Sequence, residues 1–313
     1  MKPLRIGTRG SKLALWQANH LRDALREKCG VESEIVVIKT SGDVHATAPI
    51  EQLGIKGVFT AELEHALYDG RADVAIHSMK DVPTDFSDGC RIAVVFERED
   101  PREVLISRRG ESLQALPARA RVGTSSLRRA AQLRKARPDL EILEIRGNVD
   151  TRIRKLDEGE YDAIVLAKAG VTRLGLTERI TQVIEPEIVL PAVGQGALAV
   201  EYIEPNDHLY MNYFRKLEHD ETVRAITAER AVMSTLHGGC RLPLGAYARF
   251  DGDTLLIDAC VFSVDGTQAI ASHGSAVCEG TIDARRLGER VANEMLANGA
   301  DRVLAATSRA TVR

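Results

Sequence analysis

At 313 residues the chain is too long for one core on the usual scale of roughly 100–200 residues per domain, so two or three domains are expected. Hydrophobic residues make up 44% and charged residues 28%, the balance of a soluble globular protein, and no stretch approaches the roughly 20 apolar residues of a membrane span. Net charge is only −3, yet eleven basic and four acidic residues lie between Arg119 and Lys155, and 32 of the 42 basic residues are arginine, whose planar fork pairs with carboxylate or phosphate. That gathering of charge points to a polyanionic ligand. Aromatics are only 4% and the arginines interrupt apolar strand and helix patterns without forming a tail, which argues against nucleic acid. Five cysteines with no Cys-x-x-Cys spacing suit neither a disulfide framework nor a metal site, and the N-terminal Met-Lys-Pro-Leu-Arg-Ile has no apolar leader, so a cytoplasmic protein is expected.

In chain order, Leu4 to Thr8 reads as a strand, Arg9-Gly10-Ser11 as a turn, and Lys12 to Lys28 as a helix with Ser11 as its N-cap. Glu34 to Lys39 is the next strand. Ser41 to Phe59 has scattered glycines and few apolar anchors and reads as a long mobile loop. A helix from Thr60 to Asp69 leads to Val74-Ala75-Ile76, a strand buried on both faces, after which His77, Ser78, Lys80 and Asp81 follow abruptly before Pro83. In open α/β sheets ligands bind beyond the carboxyl ends of the strands, so a carboxylate beside an ammonium there is a candidate reaction centre; a Lys-Asp turn that only closes a loop has the same residues.

Arg91 to Phe96 is another strand, and the charged link Arg98 to Arg102 reads as a crossover into a second set of elements. Strands are expected at Val104 to Ile106, Arg121 to Gly123, Glu141 to Ile145 and Asp162 to Leu166. Helices are expected at Leu127 to Ala136, Asn148 to Leu156 and Lys168 to Leu176. Gly123-Thr-Ser-Ser126 repeats the strand-to-helix form of Gly7-Thr-Arg-Gly-Ser11. Both turns suit anion binding or ordinary capping, and the pair together with the arginine excess favours a ligand cleft. Gly194, Gly196 and Ala199 match a dinucleotide fingerprint, but they precede a strand-like run instead of opening a helix and read as the return crossover.

Helical spacing resumes at His208 to Leu217 and Glu221 to Leu236 and ends in Gly238-Gly-Cys240. Three strands follow, at Gly245 to Phe250, Leu255 to Phe262 and Ala269 to Ser275, joined by hairpin signals at Asp251-Gly252-Asp253 and Asp265-Gly266. The amphipathic helix Ile282 to Leu296 would cover one face of this antiparallel sheet. The fold class expected is two α/β domains followed by an α+β domain.

Thr8-Arg-Gly-Ser-Lys-Leu-Ala-Leu-Trp-Gln17, His77-Ser-Met-Lys-Asp-Val-Pro83, Gly123-Thr-Ser-Ser-Leu-Arg-Arg129, Arg146-Gly-Asn148, Leu190-Pro-Ala-Val-Gly-Gln-Gly196 and Gly238-Gly-Cys240 together carry a collinear, nearly full-length pattern. On these motifs the chain resembles the hydroxymethylbilane synthase, or porphobilinogen deaminase, family. The resemblance implies two domains of the type II periplasmic-binding-protein kind, 1–97 with 197–217 and 98–196, and a third at 218–313. It implies a monomeric transferase, with no metal and no nucleic-acid or membrane partner, that joins four porphobilinogens head to tail with loss of ammonia. A dipyrromethane cofactor would be held covalently by Cys240 through a thioether. By the same resemblance Asp81 is the catalytic carboxylate, and Lys80, Ser126, Arg128 and Arg129 hold the cofactor. Arg9, Ser11, Arg146, Arg152 and Arg173 bind the substrate's acidic side chains, and Lys56 and Phe59 belong to a loop covering the cleft. Gln52 and Ala61 stand where the family often has lysine, so that loop carries less positive charge. A non-catalytic two-domain receptor for a small dicarboxylate would explain the first two domains but neither the third nor the cysteine on a Gly-Gly loop. Cys29, Cys90, Cys260 and Cys278 read as packing or incidental residues.

Overall fold

The computed structural model describes residues 2–39, 61–84, 88–237 and 242–310. The expected loop 41–59, with Gln52, Lys56 and Phe59, and the expected cofactor cysteine Cys240 lie outside the described residues. The chain divides into two compact units, Met1–Glu99 with Gly196–Val223, and Asp100–Gln195 with Arg224–Arg313.

The first unit is built on five strands in the order β2-β1-β3-β10-β4: β1 (Leu4–Thr8), β2 (Ser33–Val37), β3 (Val74–Ser78), β4 (Cys90–Val95) and β10 (Leu198–Ile203). β1, β2 and β3 are parallel, and β10 runs antiparallel between β3 and β4. Helix α1 (Lys12–Cys29) covers one face, with Leu21 and Leu25 packed on Ile6, Ile76 and Val200. Helix α2 (Ala61–Tyr68) covers the other, with Leu63 and Leu67 on Ala75 and Ile38. Covering both faces is what makes β3 almost continuously apolar. The chain leaves the unit at Glu99 and returns at Gly196, where φ is +90° and a Cβ would fall 2.2 Å from the Glu99 carbonyl oxygen, so only glycine fits. Gly194 and Gly196 thus precede strand β10, as the spacing indicates, and form no dinucleotide turn.

The second unit repeats the scheme. Its mixed sheet has the order β7-β6-β8-β5-β9, from β5 (Glu103–Ser107), β6 (Arg121–Gly123), β7 (Glu141–Leu143), β8 (Ala163–Ala167) and β9 (Gln182–Ile184), with β5 antiparallel between β8 and β9. Alternate residues of β5 go to opposite faces: Leu105 joins the cluster containing Leu133 of α3 (Leu127–Ala136). Val104 and Ile106 meet Ile153 and Leu156 of α4 (Val149–Asp157) and Val171 of α5 (Lys168–Arg173). A short helix α6 (Asp207–Asn212) follows β10 in the first unit; the expected His208–Leu217 helix breaks at Tyr213, leaving a 3-10 turn at Phe214–Lys216.

The rest of the second unit is an antiparallel sheet β11-β12-β13 (Leu244–Asp251, Thr254–Phe262, Ala269–Val277). It packs under α7 (Asp220–Thr235), α8 (Thr281–Ala297) and α9 (Ala300–Ala310) through Val232, Ala246, Ile257, Leu287, Val291 and Met295. The hairpin glycines Gly252 and Gly266 have φ of +56° and +78°. Strand β9 and helix α9 are additions to the sequence reading: three residues are too few for a periodicity signal.

Candidate functional site

Each sheet presents its polar residues where parallel neighbouring strands end. In the first unit β1 runs into Arg9-Gly10-Ser11. Ser11 is the N-cap of α1, its hydroxyl accepting from the Ala14 N–H at 3.3 Å, so the turn is capped as the sequence indicates. Beside it, β3 runs into the single 3-10 turn Met79–Asp81. Met79 and Val82 are both almost fully buried, and the Met79 N–H donates to the Ala197 carbonyl at 3.0 Å. These two apolar anchors clamp the short turn between them and leave Lys80 half-buried and Asp81 exposed. The polar surface starts later than expected. His77 is buried, its Nε2 2.8 Å from Glu201 Oε2, and Ser78 accepts from Gln17 Nε2 at 2.8 Å. β3 has β1 and β10 on its two sides, so the strand continues through both residues and the acid on β10 supplies the partner that His77 needs.

In the second unit, β7, β6 and β8 are parallel neighbours, and the predicted arginines follow their carboxyl ends: Arg128 and Arg129 after β6, Arg146 and Arg152 after β7, Arg173 after β8. Ser126 caps α3, accepting from the Arg129 N–H at 3.4 Å. Arg128 and Arg129 lie in the first turn of α3, and both side chains are buried. A residue absent from the sequence reading holds them. Glu103, fully buried on β5, pairs with Arg128 at 2.5 Å and with Arg129 at 2.7 Å. The available signal was an acid opening the apolar run Val-Leu-Ile. Arg128 also donates to the Leu190 carbonyl at 2.5 Å and so ties elements of the fold together, and burial pushes its pKa down. Arg129 reaches the Val165 carbonyl at 3.3 Å and Gln195 Oε1 at 3.5 Å, while its buried Nε has no hydrogen-bond partner among the described residues.

Arg152 donates through Nε to the Gly147 carbonyl at 2.7 Å. Burial, and after it the positive charge of Arg129, push its pKa down to about 10. Arg129 and Arg152 thus set like charges against one another where little water reaches. Arg146 is paired with Glu144 at 2.7 Å, and Arg173 closes the last turn of α5. Lys168 and Arg102 both bind Asp100, each at 2.7 Å. Burial opposes ionisation there, but these hydrogen bonds outweigh it and hold the Asp100 carboxyl well below the usual range. Glu229 is a second buried acid that sequence reasoning missed; it accepts the N–H groups of Gly194 at 2.7 Å and Ala248 at 2.8 Å.

A capped strand-to-helix turn, a clamped exposed carboxylate and a buried arginine cluster are features that an enzyme for acidic small molecules can use. The chain belongs to the porphobilinogen deaminase family: residues 4–211 match the family's dipyrromethane cofactor binding domain and residues 223–297 its C-terminal domain. It is accordingly an enzyme of tetrapyrrole biosynthesis that makes hydroxymethylbilane from porphobilinogen with a dipyrromethane cofactor. Among solved structures the chain is similar to the periplasmic VFT2 domain of BvgS from Bordetella pertussis, with 14% identity over 68% of this chain and 86% of that one and a TM-score of 0.42. It is also similar to a periplasmic substrate-binding protein of an ABC transporter from Coxiella burnetii, with 16% identity, 69% and 92% coverage and a TM-score of 0.43.

Proposed function

We propose that Asp81 is the carboxylate of the condensation reaction and that Ser126, Arg128, Arg129 and Lys80 secure the dipyrromethane borne by Cys240, while Arg9, Ser11, Arg146, Arg152 and Arg173 bind the acetate and propionate groups of the substrate units. The observation that carries this reading is the charge imbalance in the second unit. One buried carboxylate, Glu103, serves Arg128 and Arg129, while among the described residues the Arg129 Nε has no acceptor, and burial, with the charge of Arg129 adding to it, disfavours the charged form of Arg152. A group carrying several carboxylates fits that site and offsets the repulsion. Within this set Arg128, being buried and bonded to Glu103 and Leu190, contributes indirectly, by fixing Glu103 and α3 beside Arg129.

When bound, the cofactor supplies the pyrrole carbon to which the first substrate unit is joined. The protein's own residues do the rest. The aminomethyl group of porphobilinogen reacts in its ammonium form: as the C–N bond breaks, nitrogen leaves with the bonding pair as ammonia, positive charge develops on the pyrrole, and once the new carbon–carbon bond has formed the proton of the attacked pyrrole carbon passes to water. The Asp81 carboxylate accepts the pyrrole N–H and stabilises that charge, and the clamp at Met79 and Val82 keeps it in place at little reorganisation cost. The arginines bind the acidic side chains, and so orient each unit, without taking part in bond making.

The intact mass of the purified protein tests the attachment. The mass should exceed that of the bare chain by one dipyrromethane, Cys240→Ser should lose the increment and Cys260→Ser should keep it. Bare mass in active wild-type protein would overturn the reading. We further propose a monomer working in the cytoplasm, with no nucleic-acid or membrane partner, and a three-domain division at 1–97 with 197–217, 98–196 and 218–313. Among the described residues Cys29, Cys90, Cys260 and Cys278 are free thiols, and no helix is long and apolar enough to cross a membrane.

A further inference from the structure

The face of the first sheet beneath α2 is apolar at Ile38, Ala75, Leu63, Leu67 and Ile203, with one interruption. Glu201 on β10 lies opposite Ala75 of β3 and Ile92 of β4, and Cys90 pairs with Ile203 two positions along, so strand alternation sends Glu201, Cys90 and His77 to this same face. Glu64 and Tyr68, one turn apart on α2, come down over them. One ligand atom from each of Glu64, Cys90 and Glu201 lies within 4.8 Å of the others. Cys90 and Glu201 are buried and Glu64 is half-buried. His77 Nε2, 2.8 Å from Glu201 Oε2, orients that carboxylate from behind, as outer-shell partners of metal ligands do. Tyr68, whose hydroxyl is 3.3 Å from Cys90 Sγ, is 46% exposed and stands at the edge strand β4, where the cluster opens toward solvent.

We propose that Glu64, Cys90 and Glu201 form a three-ligand site for a divalent cation of borderline softness, zinc being the type, that clips α2 to β4 and β10. Thiolate with two carboxylates is a donor set suited to such an ion, and a fourth, open position goes to water. Tetrahedral bonds of about 2.0 Å to oxygen and 2.3 Å to sulfur hold ligand atoms roughly 3.3–3.6 Å apart, so small side-chain movements close the site. Burial, with the negative charges of Glu201 and Glu64 adding to it, pushes the Cys90 thiol up to about 11, against the hydrogen bond from Tyr68. The cation takes the place of the thiol proton, which passes to the buffer with no change of oxidation state. The ligands come from three separated elements, which is why no spacing motif announced them.

The test is a titration of the full-length, cofactor-loaded protein, first stripped with chelator, using cobalt(II) as the optical probe and zinc as competitor. One equivalent of cobalt should give a thiolate-to-metal charge-transfer band that zinc displaces. Cys90→Ser should abolish the band and Cys29→Ser should leave it. Glu64→Gln, at a half-buried helix position that keeps the fold, should weaken binding at least the roughly tenfold that loss of even an outer-shell partner costs. No band in the wild type, a band that survives in Cys90→Ser, or unchanged affinity in Glu64→Gln would each overturn the proposal.

Discussion

The two mixed sheets share one strand scheme and use it for opposite electrostatic ends. In the first unit the turn after β3 leaves a carboxylate, Asp81, exposed to water, with buried apolar anchors, Met79 and Val82, beside it. In the second, the helix after β6 puts two guanidiniums inside the protein around one carboxylate, where their charges are inseparable from the packing. The contrast teaches that topology supplies position alone. Whether a residue at a strand end is free for chemistry or committed to the fold depends on the burial of its neighbours.

The largest effect should come from breaking the buried side. Glu103→Gln leaves Arg128 and Arg129 without their carboxylate and should destabilise the second unit by about 3–5 kcal/mol, read as a lowered denaturant midpoint. An unchanged midpoint would mean that burial and not pairing fixes these arginines. On the exposed side the expectation reverses. Asp81→Asn should slow single-turnover ammonia release about 100-fold or more, while thermal stability moves by no more than about 0.5 kcal/mol. Asp81→Glu should lose less, and a large stability loss in either variant would erase the contrast. The smallest effect concerns what the two units share. Ser11 and Ser126 cap their helices with bonds of 3.3 and 3.4 Å, so each Ser→Ala change should cost about 1 kcal/mol in urea unfolding, with Ser→Gly recovering most of it. Clearly unequal costs would show that the turns differ in more than their neighbours.

Local signals carried much of this fold. Capping serines, hairpin glycines and apolar runs bounded by turns each act over a few residues, so β1, α1, β3, α3 and the β11–β13 meander were legible with ends within about two residues. The gathering of arginines in the second unit was legible too, as a local excess of basic residues between Arg119 and Lys155, while the individual arginines were singled out by the family resemblance. The acids were not. Glu103, Glu201 and Glu229 acquire their partners from other elements of the chain, and the one local hint, the apolar run that follows Glu103, does not say what the acid would pair with. His77 was misjudged for the same reason: its neighbours in sequence are polar, but its neighbour in space is Glu201 on the returning strand.

That returning strand has a consequence for how the chain acquires its structure. β10, which lies between β3 and β4, is separated from them by the whole second mixed sheet, whereas the strands of that sheet all fall between Glu103 and Ile184. During synthesis the second sheet can therefore assemble while the first still has a gap where β10 will go. Long-range closure of this kind is slow, and until it occurs the β3 and β4 edges flanking the gap lack their antiparallel partner, the segment on which a chaperone would act to greatest effect.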